Sequence, residues 1–284
     1  AITQNFMVPM NLLNNGSASY VVSGYWSNRS YRDAQPFGSI KLSASSESSA
    51  FEKPPSFESW NFDQKDAYVH FCQNETIHGV EYLDSFRMPK VPIVCDMSST
   101  ILSRPMNIDD YGVIYAGAQK NIGPSGLTIV IVREDLLLFA DKKTPTTLNW
   151  KIQSENNSMI NTPSTFSIYM AGLVFEWLLN EGGLKKIERL NIKKSKYLYD
   201  FIDENEFYIN DIDSKYRSRM NVPFRLANND LTKSFVEKAE NEGLYALKGH
   251  RLVGGLRASL YNAMPFDGVE CLVEFMKYFK KNNA

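Results

Sequence analysis

The residues best placed to do chemistry surround a lysine. Tyr111 to Gly126 reads Tyr-Gly-Val-Ile-Tyr-Ala-Gly-Ala-Gln-Lys-Asn-Ile-Gly-Pro-Ser-Gly. A strand-like run ends in the small residues Ala116, Gly117 and Ala118, presents Lys120, and passes into a Gly/Pro-rich loop. Small neighbours let a bulky group approach the backbone, and desolvation of the amine lowers its pKa and makes it nucleophilic. Asp96 directly follows the apolar run Val91-Pro92-Ile93-Val94-Cys95. That places it at a strand's carboxyl end, where open α/β sheets bind ligands. An amine and a carboxylate at neighbouring strand ends suit an aldehyde cofactor with a pyridine ring: the amine for its carbon, the carboxylate for its ring nitrogen. Plainer readings stand beside this one, with Lys120 a surface lysine and Asp96 the cap of the turn Asp96-Met97-Ser98-Ser99.

Other constellations carry less. The glycines after Lys120 do not make a phosphate-binding P-loop, because no Gly-Lys-Ser/Thr follows. His70 and Cys72 share a strand face, but only His78 is near enough in sequence to add a metal ligand, so no metal is expected. Three widely spaced cysteines, Cys72, Cys95 and Cys271, suggest neither a disulfide framework nor a paired-cysteine zinc site. A net charge of -1 argues against nucleic-acid binding through a basic surface. No apolar run approaches the roughly 18–20 residues that span a bilayer. With no secretory signal visible, a reducing, cytoplasmic setting is expected.

The elements that must hold these residues are short. Ala67 to Phe71, Val91 to Cys95, Gly112 to Tyr115 and Leu127 to Val132 are apolar runs bounded by turn residues, the pattern of buried strands in a largely parallel sheet. Ser39 to Ser59, rich in Ser, Pro and charge, reads as a loop. Thr162-Pro163 reads as a helix start with Thr162 as N-cap. Phe166 to Leu179 is apolar nearly all round, which suits a buried or subunit-interface helix. Gly182-Gly183 would end it, and a boundary is placed there: a large domain, 1–182, and a smaller α+β domain, 183–284. In the second part Leu184, Ile187, Leu198, Phe201 and Ile202 share one helix face. Lys185, Lys186, Lys193, Lys194 and Lys196 read as its solvated remainder. Strands at Met220 to Leu226 and Leu256 to Tyr261, a helix at Thr232 to Glu242, and a last helix capped by Asp267 complete the unit.

Val94 to Arg133 closely resembles the cofactor-lysine region of phosphoserine aminotransferases. The segments that carry the likeness are Ser98-Ser-Thr-Ile-Leu-Ser-Arg104-Pro, Tyr115-Ala-Gly-Ala-Gln-Lys120-Asn-Ile-Gly-Pro and Leu127-Thr-Ile-Val-Ile-Val-Arg-Glu-Asp135-Leu. Three further motifs follow the family's order: Gly24-Tyr25-Trp26, Cys72-Gln-Asn74-Glu-Thr76-Ile-His-Gly-Val, and Gly249-His250-Arg251 leading to Gly255-Leu-Arg257-Ala-Ser-Leu-Tyr-Asn262-Ala. The resemblance implies an α/β fold-type I transferase with pyridoxal 5'-phosphate as cofactor and Lys120 as Schiff-base lysine. Trp26 would stack on the pyridine ring, Thr76 bond its ring oxygen, and Asp96 pair with its nitrogen. Gln119 and the backbone amides at Ala1 and Ile2 would hold the phosphate, joined by Asn161-Thr162 from a partner subunit in a homodimer with shared sites. His250, Arg251 and Arg257 would bind substrate anions, since arginine grips carboxylate and phosphate in a two-pronged way.

Family members carry roughly another fifth of a chain before the position of Ala1, and no strand or cap is evident leading into Ile2-Thr3-Gln4. That segment would bring a further His-Arg pair for the substrate. Two functions follow as expectations. One is transfer of an amino group from L-glutamate to 3-phosphohydroxypyruvate in serine biosynthesis. The other is a truncated, impaired or inactive protein that keeps the cofactor fold. A desulfurase of the same fold is disfavoured, because Cys72 and Cys95 sit in strand-like runs and Cys271 in the last helix.

Overall fold

The computed structural model describes residues 1–83 and 90–283. Its strands are β1 (Ser17–Val22), β2 (Ser39–Ser45), β3 (Tyr68–Cys72), the two-residue pair β4 (Asn74–Glu75) and β5 (Val80–Glu81), then β6 (Ile93–Asp96), β7 (Val113–Gly117) and β8 (Thr128–Val132). A second set, β9 (Tyr208–Ile209), β10 (Asn221–Leu226) and β11 (Leu256–Ser259), lies further along. The helices are α1 (Gln4–Leu12), α2 (Tyr25–Ala34), α3 (Trp150–Glu155), α4 (Thr165–Asn180), α5 (Gly183–Asp203), α6 (Thr232–Asn241) and α7 (Phe266–Asn283).

The main sheet has the order β2-β1-β3-β6-β7-β8. Its first five strands run parallel, and only β8 turns back antiparallel to β7. Both faces are covered, so side chains of period two feed two separate cores. Val69, Phe71, Ile93, Cys95, Ile114 and Ala116 enter one. Tyr68, Val94, Val113 and Tyr115 enter the other, with Met7, Val8 and Leu12 of α1 above them. A third core lies between the antiparallel sheet β11-β10-β9 and helices α5 to α7, with Phe235 fully buried and packed edge-on against Phe275 and Phe279.

Several sequence expectations need correction. The opening residues are a helix start: Gln4 N–H bonds the Ala1 carbonyl and Asn5 N–H that of Ile2. Ser39–Ser45 is strand β2, not loop. As an edge strand it is paired through backbone on one side only, so serine and lysine suffice for its side chains. Helix α4 begins at Thr165 with Ser164 in the N-cap position, leaving Thr162 outside. A residue before proline is pushed to extended backbone, which delays the helix past Pro163. Asp267 lies in the first turn of α7 rather than capping it. Met159 and, on α4, Phe166, Tyr169 and Leu179 are exposed to solvent in the single chain, so that helix is not buried here.

Lys194 is the largest departure from the pattern read along α5. It is 1% exposed, and its ammonium donates to the carbonyls of Leu260, Tyr261 and Met264 at 3.2, 2.9 and 3.0 Å. Three donors on an ammonium match three carbonyls. Lys194→Met is expected to lower the unfolding free energy by about 1–3 kcal/mol, because it strands buried acceptors. Urea denaturation measures this, and an unchanged midpoint would refute the account.

Candidate active site

Four neighbouring parallel strands, β1, β3, β6 and β7, end on one edge of the main sheet. Each delivers a residue there. Asp96 is the last residue of β6, opposite Cys72 of β3 and Tyr115 of β7. Lys120 lies three residues beyond β7, after the buried Ala118. Thr76 follows the short β4, just past the end of β3. Trp26 stands in the first turn of α2, which begins three residues after the end of β1.

The lysine is held, not loose. Its Nζ donates to Thr76 Oγ1 at 2.6 Å. Burial pushes its pKa below that of an ordinary lysine; the Asp96 carboxylate pulls the other way, and the Arg257 guanidinium adds to the depression. Asp96 keeps the turn-capping role as well, since its Oδ1 accepts the Ser98 N–H at 2.8 Å. Ser98 Oγ in turn accepts the Gly117 N–H at 3.1 Å, tying the two strand ends together. Gln119 is exposed and folds back over Gly117, where an added Cβ would stand 2.5 Å from its amide oxygen. Ala1 lies close enough for its nitrogen to feel the charges of Asp96 and Lys120; Ile2 beside it is exposed.

The second sheet supplies cations. Arg257 on β11 donates through Nη1 to the Thr76 carbonyl at 3.4 Å, and its buried Nε has no partner. His250 and Arg251 sit on a turn closed by the Gly249 N–H to the Gly255 carbonyl at 2.9 Å. The turn is pinched so tightly that a Cβ on Gly249 would stand 1.9 Å from the Gly254 oxygen. His250 is half-buried, 6.0 Å between ring centroids from Tyr25, whose ring also meets Trp26 edge-on at 5.1 Å. Arg251 is exposed. Asn161 and Thr162 are exposed before α4, the Asn161 amide bonding the Thr162 carbonyl at 3.3 Å. The structure therefore gathers Lys120, Thr76, Asp96, Arg257 and Ala1, brings Trp26 and His250 together through Tyr25, and leaves Asn161, Thr162 and Arg251 on the surface of this chain.

Two residues emerge that sequence reasoning did not assign. Tyr261 hydrogen-bonds Thr76, and its hydroxyl oxygen accepts the Asn221 amide N–H at 3.1 Å. His78, weighed only as a metal ligand, accepts the Tyr25 N–H at 3.4 Å through Nδ1. Burial, and then the nearby His250, push its imidazole down to about 4. Neither residue carries a spacing signal, because each meets its partners only across the fold. Among the described residues no three His, Cys, Asp or Glu side chains gather as a metal site requires. His70 instead bonds the Tyr115 hydroxyl at 2.8 Å inside the core.

The electrostatics make a signed prediction. A lysine with a depressed folded pKa becomes neutral at lower pH than an exposed one. Asp96→Asn removes the anion that favours the charge, so the midpoint of Lys120 acylation in cofactor-free protein should move to lower pH. Arg257→Gln removes a repelling cation and should move it up. Mass spectrometry of the labelled peptide against pH reads both shifts, and opposite signs would overturn the charge assignment.

The class-V aminotransferase family model matches residues 2–272. Curated phosphoserine aminotransferases of Aromatoleum aromaticum and Hahella chejuensis are 51% and 50% identical over 290 and 285 residues, covering 99% and 100% of this chain and 79% of theirs. The solved phosphoserine aminotransferase of Bacillus circulans subsp. alkalophilus superposes with a TM-score of 0.97 at 44% identity, covering 100% of this chain and 79% of its own. The PLP-bound enzyme of Trichomonas vaginalis superposes at 0.90 with 35% identity, covering 97% and 79%. The chain belongs to the class-V aminotransferases and, within them, to the phosphoserine aminotransferase family.

Proposed function

We propose that the chain is a pyridoxal-phosphate-dependent transaminase that moves an amino group from L-glutamate to 3-phosphohydroxypyruvate, giving 2-oxoglutarate and phosphoserine. The observation that carries the reading is the convergence of Lys120, Thr76 and Asp96 on one sheet edge, in a chain about half identical to curated phosphoserine aminotransferases. The residues present fit the cofactor. A desolvated amine and a carboxylate stand within electrostatic reach of one another, and the Arg257 guanidinium near them has a buried Nε without a protein partner.

When bound, pyridoxal phosphate supplies an electron sink for the carbon that bears the amino group. Asp96 keeps a proton on the ring nitrogen by offering it a carboxylate. Trp26 orients the ring by stacking, and Thr76 bonds the ring oxygen. Gln119 and the amides of Ala1 and Ile2, at the start of α1, hold the phosphate; a helix N-terminus favours an anion. Lys120 would hold the cofactor through its amine, and its Nζ would carry the proton that the transfer moves. His250, Arg251 and Arg257 bind the substrate's acidic groups. Asn161 and Thr162 of the partner subunit complete the phosphate site.

Two features support the assembly this implies. The exposed apolar side chains on α4 suit a homodimer interface, and two-fold closure is the commonest symmetry. The first two cores end at Ala171 and the third begins at Leu198, which supports a cofactor-binding part, 1–182, and a smaller part, 183–284. Among the described residues no helix is long and apolar enough to cross a membrane. The reading places small-molecule chemistry in the cytoplasm, without nucleic acid or membrane partners.

Lys120→Ala should abolish the borohydride-trapped cofactor adduct and lower the transamination rate by about 10²–10⁴ or more. A mutant that traps cofactor at the original stoichiometry would refute the lysine assignment. Arg257→Ala should raise the KM for glutamate by roughly one to two decades, the cost of one charge-assisted contact; an unchanged KM would remove Arg257 from the substrate site. Light scattering of the loaded protein should give twice the chain mass at micromolar concentration. A monomer with full cofactor occupancy would rule out shared sites.

A further inference from the structure

The first turn of α2 is capped from elsewhere in the chain. Its N-cap position is Gly24, which has no side chain to offer. Instead the carboxylate of Glu75, about fifty residues later, reaches the helix start. Glu75 Oε2 accepts the Trp26 N–H at 2.9 Å, and Oε1 accepts the Ser27 N–H at 2.8 Å and the Ser27 hydroxyl at 2.6 Å. Ser27 Oγ also accepts the N–H groups of Ser23 and Gly24 at 2.9 and 3.1 Å, so the turn is closed from both sides. The carboxylate fills the place a local cap would take: a Cβ on Gly24 would stand 2.5 Å from Glu75 Cδ.

We propose that Glu75 is a positioning residue for the cofactor, fixing the plane of Trp26 relative to Lys120. The proposal rests on the reading of Trp26 as the stacking aromatic. Glu75 and Thr76 are consecutive, and they turn to opposite tasks. Glu75 holds the backbone of Trp26, and Thr76 holds the amine of Lys120 at 2.6 Å. One dipeptide at the end of β4 therefore sets the gap between the aromatic face and the amine. An anion at a helix N-terminus is favoured by the helix dipole, and two aligned backbone donors fix direction as well as distance. Full burial removes water as an alternative partner: Glu75 is 0% exposed. A shift of the carboxylate must be followed by the first turn of α2, and Trp26 is in that turn.

The test is a double-mutant cycle of Glu75→Gln and Trp26→Ala. Cofactor dissociation constants come from titrating cofactor-free protein with pyridoxal phosphate. Visible circular dichroism of the loaded protein reports ring orientation, and melting of the cofactor-free protein reports folding. Glutamine keeps the shape but turns one acceptor into a donor facing an N–H. Glu75→Gln should weaken cofactor binding about tenfold and alter the visible dichroism, while in the Trp26→Ala background it should change binding less than about twofold. A silent Trp26→Ala overturns the stacking reading and the proposal with it. An active Trp26→Ala beside a silent Glu75→Gln, or beside fully additive effects, overturns the proposal alone. If Glu75→Gln does not fold, Glu75→Asp, which keeps the charge one methylene short, carries the same cycle.

Discussion

A desolvated amine held against a threonine hydroxyl, with a carboxylate in reach, is the arrangement on which the rest of this structure depends. Burial lowers the pKa of Lys120, while Asp96 opposes that pull. The balance works only if the two groups keep a fixed spacing, because Coulomb energy in a poorly hydrated site changes steeply with distance. Paired strands supply that spacing. Asp96 ends β6 and Lys120 follows β7, and the two strands are hydrogen-bonded neighbours. Parallel pairing is the further requirement, since it sends the carboxyl ends of β1, β3, β6 and β7 to the same edge.

The second sheet is tied to this edge by amide side chains rather than by apolar packing alone. Asn121, next to the lysine, accepts the Asn262 N–H at 3.0 Å and donates to the Ile101 carbonyl at 3.0 Å. Asn262 accepts from Asn191 of α5 at 2.9 Å. On the other side, Asn74 donates to Asn221 at 3.0 Å, and Asn221 to Tyr261 at 3.1 Å. Amides both give and accept hydrogen bonds, so such a seam can satisfy itself where water is excluded. Arg257 lies on the same stretch as Tyr261 and Asn262. The seam thus fixes the Arg257 guanidinium against the loop that bears the amine.

Charge satisfaction recurs away from the site. Lys194 donates to three carbonyls at the turn after β11, and buried Glu81 meets Arg104 at 3.4 Å and the Arg219 N–H at 2.9 Å. Each links elements from distant parts of the chain. Each is a buried polar group whose removal would strand its partner.

Much of this was legible in the chain before folding. The apolar runs that became β3, β6, β7 and β8, the amphipathic faces of α5 and α7, and the lysine after small residues all follow from local pattern, because burial on a strand or helix imposes a period on the side chains themselves. Edge strand β2 and the first helix were not legible, since a solvated edge and a short chain opening impose little pattern. The loss of Thr162 as a cap reflects competition between adjacent start signals, which only the folded backbone resolves. Lys194 shows the same limit from the other direction: its type reads as solvent-facing, and three carbonyls brought in from α7's approach decide otherwise. The sequence by itself determined which residues could do chemistry and which strand ends would carry them. Only the tertiary structure decided that Thr76 would hold Lys120, that Arg257 would cross from a second sheet, and that Glu75 would cap the helix of Trp26. Those contacts join residues about 44, 181 and 49 positions apart, and no local periodicity records a partner at such separations.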